Sequence, residues 1–215
     1  MNYYRVNLSA SIRSVRMTLL FLLFTFLVSP VLANTRSINL AEMTSHAGRI
    51  VHGRVVEVRE GSHPQHEGIA VTFIKIEVTE MIKGGAVREV SFMQYGNSNT
   101  QYIADMPKYS VGEEIVLFLY PESKLGLTSP VGQGQGKFIV RNDLRSGQRM
   151  LLNDRSNYDL FARLDTAKLS SKLTLSRTER EVVAPSEGRA NKGLEVSAFR
   201  SIVRKIAAHP QANLQ

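Results

Sequence analysis

The pattern of apolar and polar residues changes along the chain, from short alternating stretches to a helical spacing near its end. Over residues 74–79 every second side chain is apolar and its neighbours are polar, which is the period of a strand with one wet face. Residues 115–119 are continuously apolar, as is typical of a strand covered on both faces. The pattern therefore predicts a sheet in which residues 115–119 form the central strand.

Roughly six or seven short strands, separated by turn residues, are predicted in this part of the chain. Their ranges are 50–58, 69–81, 87–95, 115–119, 127–131, and the two arms of a hairpin, 137–141 and 148–152. In the first of them, Gly53 and the adjacent pair Val55-Val56 predict a bulge that switches the inward face, so this strand is expected to be long and bent. Residues 40–47, which precede this strand, are predicted to form one or two helical turns.

The end of the chain has a different character. Residues 198–208 carry apolar side chains at helical spacing behind Ser197, a candidate N-cap. The preceding residues, 153–193, are polar and contain proline and glycine, so they are predicted to be loop or linker. The predicted fold class is mainly β: a small OB-like β-barrel over residues 34–152 with a C-terminal amphipathic helix within residues 194–209.

The first 33 residues have the order of a secretory signal peptide: arginines, an apolar run at 17–28, and the small-residue site Val31-Leu32-Ala33. The apolar run has 12 residues, whereas a helix that spans a bilayer needs about 20. A signal peptide over residues 1–33 is therefore predicted, with an uncleaved membrane anchor as the alternative. The protein is expected to be exported, either to a periplasm or into the medium.

Net charge is unevenly distributed. The leader holds three of the 27 basic residues and none of the 19 acidic ones, and residues 141–215 hold 14 basic against 8 acidic residues. Such a region can attract an anionic lipid, an envelope polymer or an acidic protein, or it can be an ordinary solvated surface. Export makes nucleic acid an unexpected partner.

The chain contains no cysteine. Disulfides, thiol catalysis, cysteine-based zinc sites and cysteine-attached haem are therefore excluded, and the fold must rest on its hydrophobic core. For an exported protein of this size, this composition favours a bacterial envelope over an animal extracellular space.

Three segments carry a family resemblance: IVHGRV at residues 50–55, VTEMIKG at 78–84 and YSVGEEIVLFL at 109–119. Together they resemble the netrin-like module of the tissue inhibitors of metalloproteinases, and similar exported bacterial domains. The resemblance implies an OB-type five-stranded barrel. Those inhibitors chelate zinc through an N-terminal cysteine, which this chain lacks, so the resemblance implies a fold without its inhibitory chemistry.

His63 and His66, with Glu67 beside them, are the clustered potential metal ligands. A zinc site needs at least a third ligand, for which His52 or His46 is the candidate histidine. Exposed loop histidines are the simpler interpretation, so the sequence assigns neither a metal nor another cofactor.

No sequence motif indicates an enzyme. The run Gly132-Gln133-Gly134-Gln135-Gly136-Lys137 resembles a phosphate-binding loop, but a predicted strand follows it in place of a helix. Its glycines are better explained by a turn, a bulge or the close approach of another backbone segment. Glu113 and Glu114 are adjacent on a strand, so their side chains should diverge, and Asp105 is isolated.

Aromatic residues supply the candidate recognition surface. Phe92 and Phe118 are predicted to be core, whereas Tyr95, Tyr102 and Tyr109 lie near loops and are the predicted binding residues. The expected function is a non-enzymatic binding module that recognises a protein or an envelope polymer through the loop at residues 96–109 and the face of the barrel. The alternative is an inhibitor of an exported protease that acts through an edge strand or a loop.

Overall fold

A computed structural model describes residues 36–98, 100–184 and 193–209, which all belong to the unit Arg36–Gln215. The predicted signal peptide lies outside these residues. The described part contains seven strands: β1 (Arg49–Ser62), β2 (Ala70–Lys83), β3 (Glu89–Tyr95), β4 (Glu114–Leu119), β5 (Lys137–Asn142), β6 (Arg149–Asn153) and β7 (Leu194–Glu195). Its helices are α1 (Leu40–His46), α2 (Thr166–Lys172), α3 (Arg177–Val183), α4 (Val196–Ala208) and the 3₁₀ helix Gln133–Gly136.

The strands form one antiparallel sheet in the order β3-β2-β1-β4-β5-β6-β7, curved into a half-barrel. β4 occupies the middle of this order, and its residues 115–119 are buried. The prediction of a mainly β, barrel-type fold with a C-terminal helix is confirmed. The hairpin predicted at the end of the barrel is also present, as the β5–β6 pair.

β1 is long and bent, as predicted. Its pairing with β2 shifts register between His52 and Gly53 and again between Val55 and Glu57, so that Val56 is left out of the ladder. A bulge of this kind shifts the alternation of side chains between the two faces of a strand, and Val55 and Val58 accordingly lie on the same face. Each face of the sheet carries its own apolar cluster, because alternate residues of β4 contribute to one cluster or the other.

One face packs against the helices. Phe118 of β4 and Phe138 of β5 meet Phe199 of α4 there, with ring centroids 6.3 Å and 4.8 Å from Phe199. The other face holds residues of β1 to β4 together with Phe92 and Tyr109. Both phenylalanines predicted to be core, Phe92 and Phe118, are buried.

Residues 153–193 need a correction, since part of the predicted loop or linker is helical. α2 and α3 lie within it, capped by the side chains of Asp165 and Ser176. Leu169 and Val183 are buried in the apolar cluster that also contains the apolar side chains of α4. These contacts hold two short helices that the local sequence does not predict.

Two smaller expectations also differ from the structure. Residues 127–131 do not form a strand: only single bridges occur, at Leu127 and Pro130, because proline has no N–H with which to continue a ladder. The N-cap of α4 is Glu195, the last residue of β7, and it accepts hydrogen bonds from the backbone N–H groups of Ser197 and Ala198. No helix within the described residues has both the length and the apolar character of a membrane span.

Candidate binding site

A pocket of about 200 Å³ opens at one end of the β1–β2–β3 part of the sheet, where β3 runs into the loop that follows it. Its walls include all three predicted binding residues, Tyr95, Tyr102 and Tyr109. Tyr95 is the last residue of β3, and the other two lie in the segment between β3 and β4. The structure thus brings together residues that are up to 14 positions apart in the chain. We call this the tyrosine pocket.

The three tyrosines are not equivalent. Tyr95 is 39% exposed and Tyr102 67% exposed, so both offer ring surface to a ligand. Tyr109 is only 8% exposed and packs edge-on against Phe92, with the ring centroids 5.9 Å apart. Burial raises the pKa of the Tyr109 hydroxyl well above its usual value, with the nearby carboxylates of Asp154 and Glu113 adding to the shift. Tyr109 therefore shapes the pocket wall from the core and is not an exposed contact.

One side of the pocket is formed by residues that follow β3. Gly96 has a φ of 89°, and a Cβ there would lie 2.6 Å from the carbonyl oxygen of Gln101, so only glycine fits this turn without strain. The Asn97 Oδ1 atom accepts a hydrogen bond from the backbone N–H of Thr100 at 2.8 Å. Ser98 donates from its backbone N–H and its hydroxyl to Glu60 Oε1, at 3.0 Å and 2.6 Å. These hydrogen bonds from Ser98 lower the pKa of Glu60.

The other side, which leads to Tyr109, is held from beneath by two buried side chains. Gln94 Nε2 donates to the carbonyl oxygen of Pro107 at 3.1 Å. Lys137 Nζ donates to the carbonyl oxygen of Lys108 and forms an ion pair with Glu113 Oε2 at 2.8 Å. The side chain of Lys137 is 3% exposed, and its Nζ lies 4.7 Å from the centre of the Tyr109 ring. Both sides of the pocket are therefore fixed to the sheet by side-chain hydrogen bonds.

The glycine run before Lys137 has a structural role. It forms the 3₁₀ helix, where a Cβ on Gly136 would lie 2.4 Å from the carbonyl oxygen of Val131 and one on Gly134 would meet the carboxylate of Asp154. The predicted close approach of backbone segments is therefore present. β5 follows directly, and none of the glycines lines the tyrosine pocket.

The histidines do not converge on one point. The His63 and His66 rings lie 4.6 Å apart, but both nitrogens of His63 are engaged: Gln65 N–H donates to Nδ1, and Nε2 donates to the carbonyl oxygen of Leu125 at 2.8 Å. His52 is buried and lies 2.7 Å from Glu114 Oε1, and the His46 ring faces Tyr120. Within residues 36–98, 100–184 and 193–209, no three potential ligands are grouped around a metal position.

Glu113 and Glu114 diverge, as expected from their adjacent positions. Glu113 faces Lys137 and Tyr109, whereas Glu114 contacts His52 and Arg149. Burial raises the pKa of Glu114, but hydrogen bonds from His52 and Arg149 outweigh it and leave the pKa below its usual value. The two carboxylates do not form an acid/base pair.

Asn97, Ser98 and Lys108 also line the pocket, and they belong to the loop at residues 96–109 that was predicted to take part in recognition, whereas Glu60 was not indicated by the sequence. Glu60 lines the pocket because β1 extends to Ser62, beyond its predicted end.

Neither a family model, a curated protein nor a solved structure matches the chain. The function must therefore be inferred from the geometry of the pocket itself.

Proposed function

We propose that the chain is an exported, non-enzymatic binding module that recognises a protein or an envelope polymer at the tyrosine pocket. The observation that carries the proposal is the display of Tyr95 and Tyr102 around one cavity whose sides are fixed to the sheet. Rigid aromatic side chains supply contact area at a low cost in conformational entropy, which is why they are frequent anchors of recognition sites. Export is proposed from the leader sequence.

The relationship to netrin-like modules is proposed at the level of the barrel alone. A curved antiparallel sheet is common to both architectures, although the described sheet has seven strands where the resemblance implies five. Without any cysteine, recognition must rely on side chains such as the tyrosines instead of on a zinc-chelating terminus.

The proposal is tested by capture of a partner. The exported chain, with a C-terminal tag, would be incubated with native envelope and culture-supernatant fractions, and bound proteins and polymers quantified by mass spectrometry. We expect saturable capture that falls about tenfold in the double variant Tyr95→Ala/Tyr102→Ala, since truncating an aromatic anchor commonly costs more than about 1 kcal/mol.

The matched control is Tyr158→Ala, because Tyr158 is 57% exposed and lies outside the pocket. Tyr109 should be changed only to phenylalanine, since alanine would open a cavity in the core. Equal capture by the double variant and the control would contradict the assignment of the site. A captured protease that the protein inhibits with increasing dose would establish the alternative function, protease inhibition.

A further inference from the structure

The polar groups around the tyrosine pocket are largely engaged in holding its sides. Thr72 Oγ1 donates to the carbonyl oxygen of Gly96 at 2.8 Å, and Ser98 donates to Glu60. Gln94 donates to Pro107, and its Oε1 accepts from the Tyr109 hydroxyl at 3.4 Å. A ligand therefore meets few polar side chains there whose hydrogen bonds are still available.

Apart from these hydrogen-bonded groups, the surface of the tyrosine pocket is mainly apolar. Beside the rings of Tyr95 and Tyr102, the walls contain Val58, Ile103 and Met106. A polyhydroxylated ligand such as a sugar would meet only the hydroxyls of Tyr95 and Tyr102 and the ammonium group of Lys108, so most of its hydroxyls would lose hydrogen bonds to water without regaining them. The volume of about 200 Å³ is also below the roughly 300–1,000 Å³ of pockets for drug-sized molecules. The pocket thus suits one apolar side chain.

The ammonium group of Lys108 gives the pocket a preference for ligands that carry a negative charge. Lys108 is exposed on the pocket wall, and its Nζ lies 5.7 Å from the centre of the Tyr102 ring. Among the described residues no carboxylate lies within ion-pair distance of this Nζ. The charge of Lys108 contributes to the lowered pKa of Glu60, but the Glu60 carboxylate is hydrogen-bonded to Ser98. The ammonium group is therefore available to a negative group at the mouth of the pocket.

We propose that the tyrosine pocket takes one aromatic or aliphatic side chain of a partner protein, with an adjacent carboxylate of that partner paired to Lys108. The carboxylate comes from a neighbouring acidic residue or from the end of the partner chain. This inference rests on the proposed function and chooses a protein over a polymer as the partner. Burial of the apolar side chain supplies the affinity. The ion pair with Lys108 at the rim of the pocket orients the partner and favours partners that carry a carboxylate.

Small probes test the ligand chemistry directly. The ¹⁵N-labelled exported chain would be titrated with 3-phenylpropionate, with the neutral 3-phenylpropanamide and with methyl β-glucoside, while backbone amide shifts are followed. We expect both phenyl compounds to shift amides of residues 94–109, and the acid to bind about three- to fivefold more tightly, as suits one exposed ion pair. The glucoside should leave these signals unchanged.

Variants separate the two parts of the site. Lys108→Gln should remove the preference for the acid and leave binding of the amide intact, whereas Lys124→Gln, at an exposed lysine outside the pocket, should change neither. Tyr102→Ala should weaken both phenyl compounds.

Two results would overturn the inference: binding of the glucoside without the phenyl compounds, or an acid preference that survives Lys108→Gln. If no probe shifts these amides while Tyr95→Ala/Tyr102→Ala still reduces capture, the inference fails and the proposed function stands. If capture is also unchanged, both fail.

Discussion

Gly53 shows how one residue shapes the sheet. A Cβ at this position would lie 2.3 Å from the Glu77 carbonyl oxygen and 2.7 Å from Ile76 Cγ2, both in the neighbouring strand β2. Gly53→Ala must therefore push β1 and β2 apart, and we expect it to lower the free energy of unfolding by about 1–3 kcal/mol. Urea denaturation followed by circular dichroism measures this loss.

The matched control lies on the same strand. At Gly61 an added Cβ would make only ordinary contacts, 3.5 Å from Arg59 and Phe73, so Gly61→Ala should change stability by less than about 0.5 kcal/mol. Similar losses at both glycines would show that the close approach at Gly53 does not matter.

For single residues, the sequence predicted the local conformation in some cases and missed the burial of the side chain in others. Gly53 and Val55-Val56 interrupt an apolar run, so the bulge was visible in the pattern. Lys137 was not, because its inward direction depends on how β5 pairs with β4 and on where Glu113 then lies. Tyr109 was predicted as a loop residue near the surface, but its contact with Phe92 draws it into the core.

Among the elements, α4 is held to the sheet by its apolar face. Phe199 is completely buried between Phe118 and Phe138, whereas Arg204 reaches Glu80 from the exposed side of the helix. We expect Phe199→Ala to cost about 3–5 kcal/mol of unfolding free energy, as is usual for deleting a buried ring. Arg204→Ala should cost less than about 1 kcal/mol, because exposed ion pairs contribute little.

Thermal and urea unfolding of both variants check this expectation. A larger loss from Arg204→Ala than from Phe199→Ala would mean that ion pairs, and not apolar packing, hold the helix in place.

The four helices explain which elements can be predicted from sequence. α4 has 13 residues with a continuous apolar stripe, so its pattern is recognisable by itself. α2 and α3 have seven residues each, too few to be stable as isolated helices. They form because Leu169 and Val183 reach the core that α4 also covers, and this information is spread over distant parts of the chain.

For the molecule as a whole, the core is divided between the two faces of one sheet. The continuous apolar run of β4 predicted a strand covered on both faces, and Val116 and Phe118 lie in the cluster beneath the helices while Ile115 and Leu117 lie in the opposite cluster. The pattern did not predict all of what covers the first cluster, because α2 and α3 lie in a segment predicted to be loop or linker. The tyrosine pocket borders the second cluster through Tyr109, while the helices pack on the first.

Glu179 connects two of these helices, and it makes the stability of the whole molecule depend on pH. Burial raises the pKa of its carboxyl, but hydrogen bonds from Lys205, Ser201 and Ser176 outweigh burial and lower it from 4.5 to about 2. The bond from Lys205 Nζ, 2.7 Å long, joins α4 to α3. Because the unfolded chain takes up the proton first as the pH falls, this contribution is present above about pH 4.5 and is lost towards pH 2.

We therefore expect Glu179→Gln to lower the free energy of unfolding by about 2–4 kcal/mol at pH 7, from a pKa shift of this size. The difference from the unmodified protein should shrink as the pH falls from 4.5 to about 2, in urea titrations repeated at each pH. Glu181→Gln is the control, since its carboxylate on the same helix is 63% exposed. A difference that stays constant down to pH 2 would mean that the shape of the Glu179 side chain, and not its charge, joins the two helices.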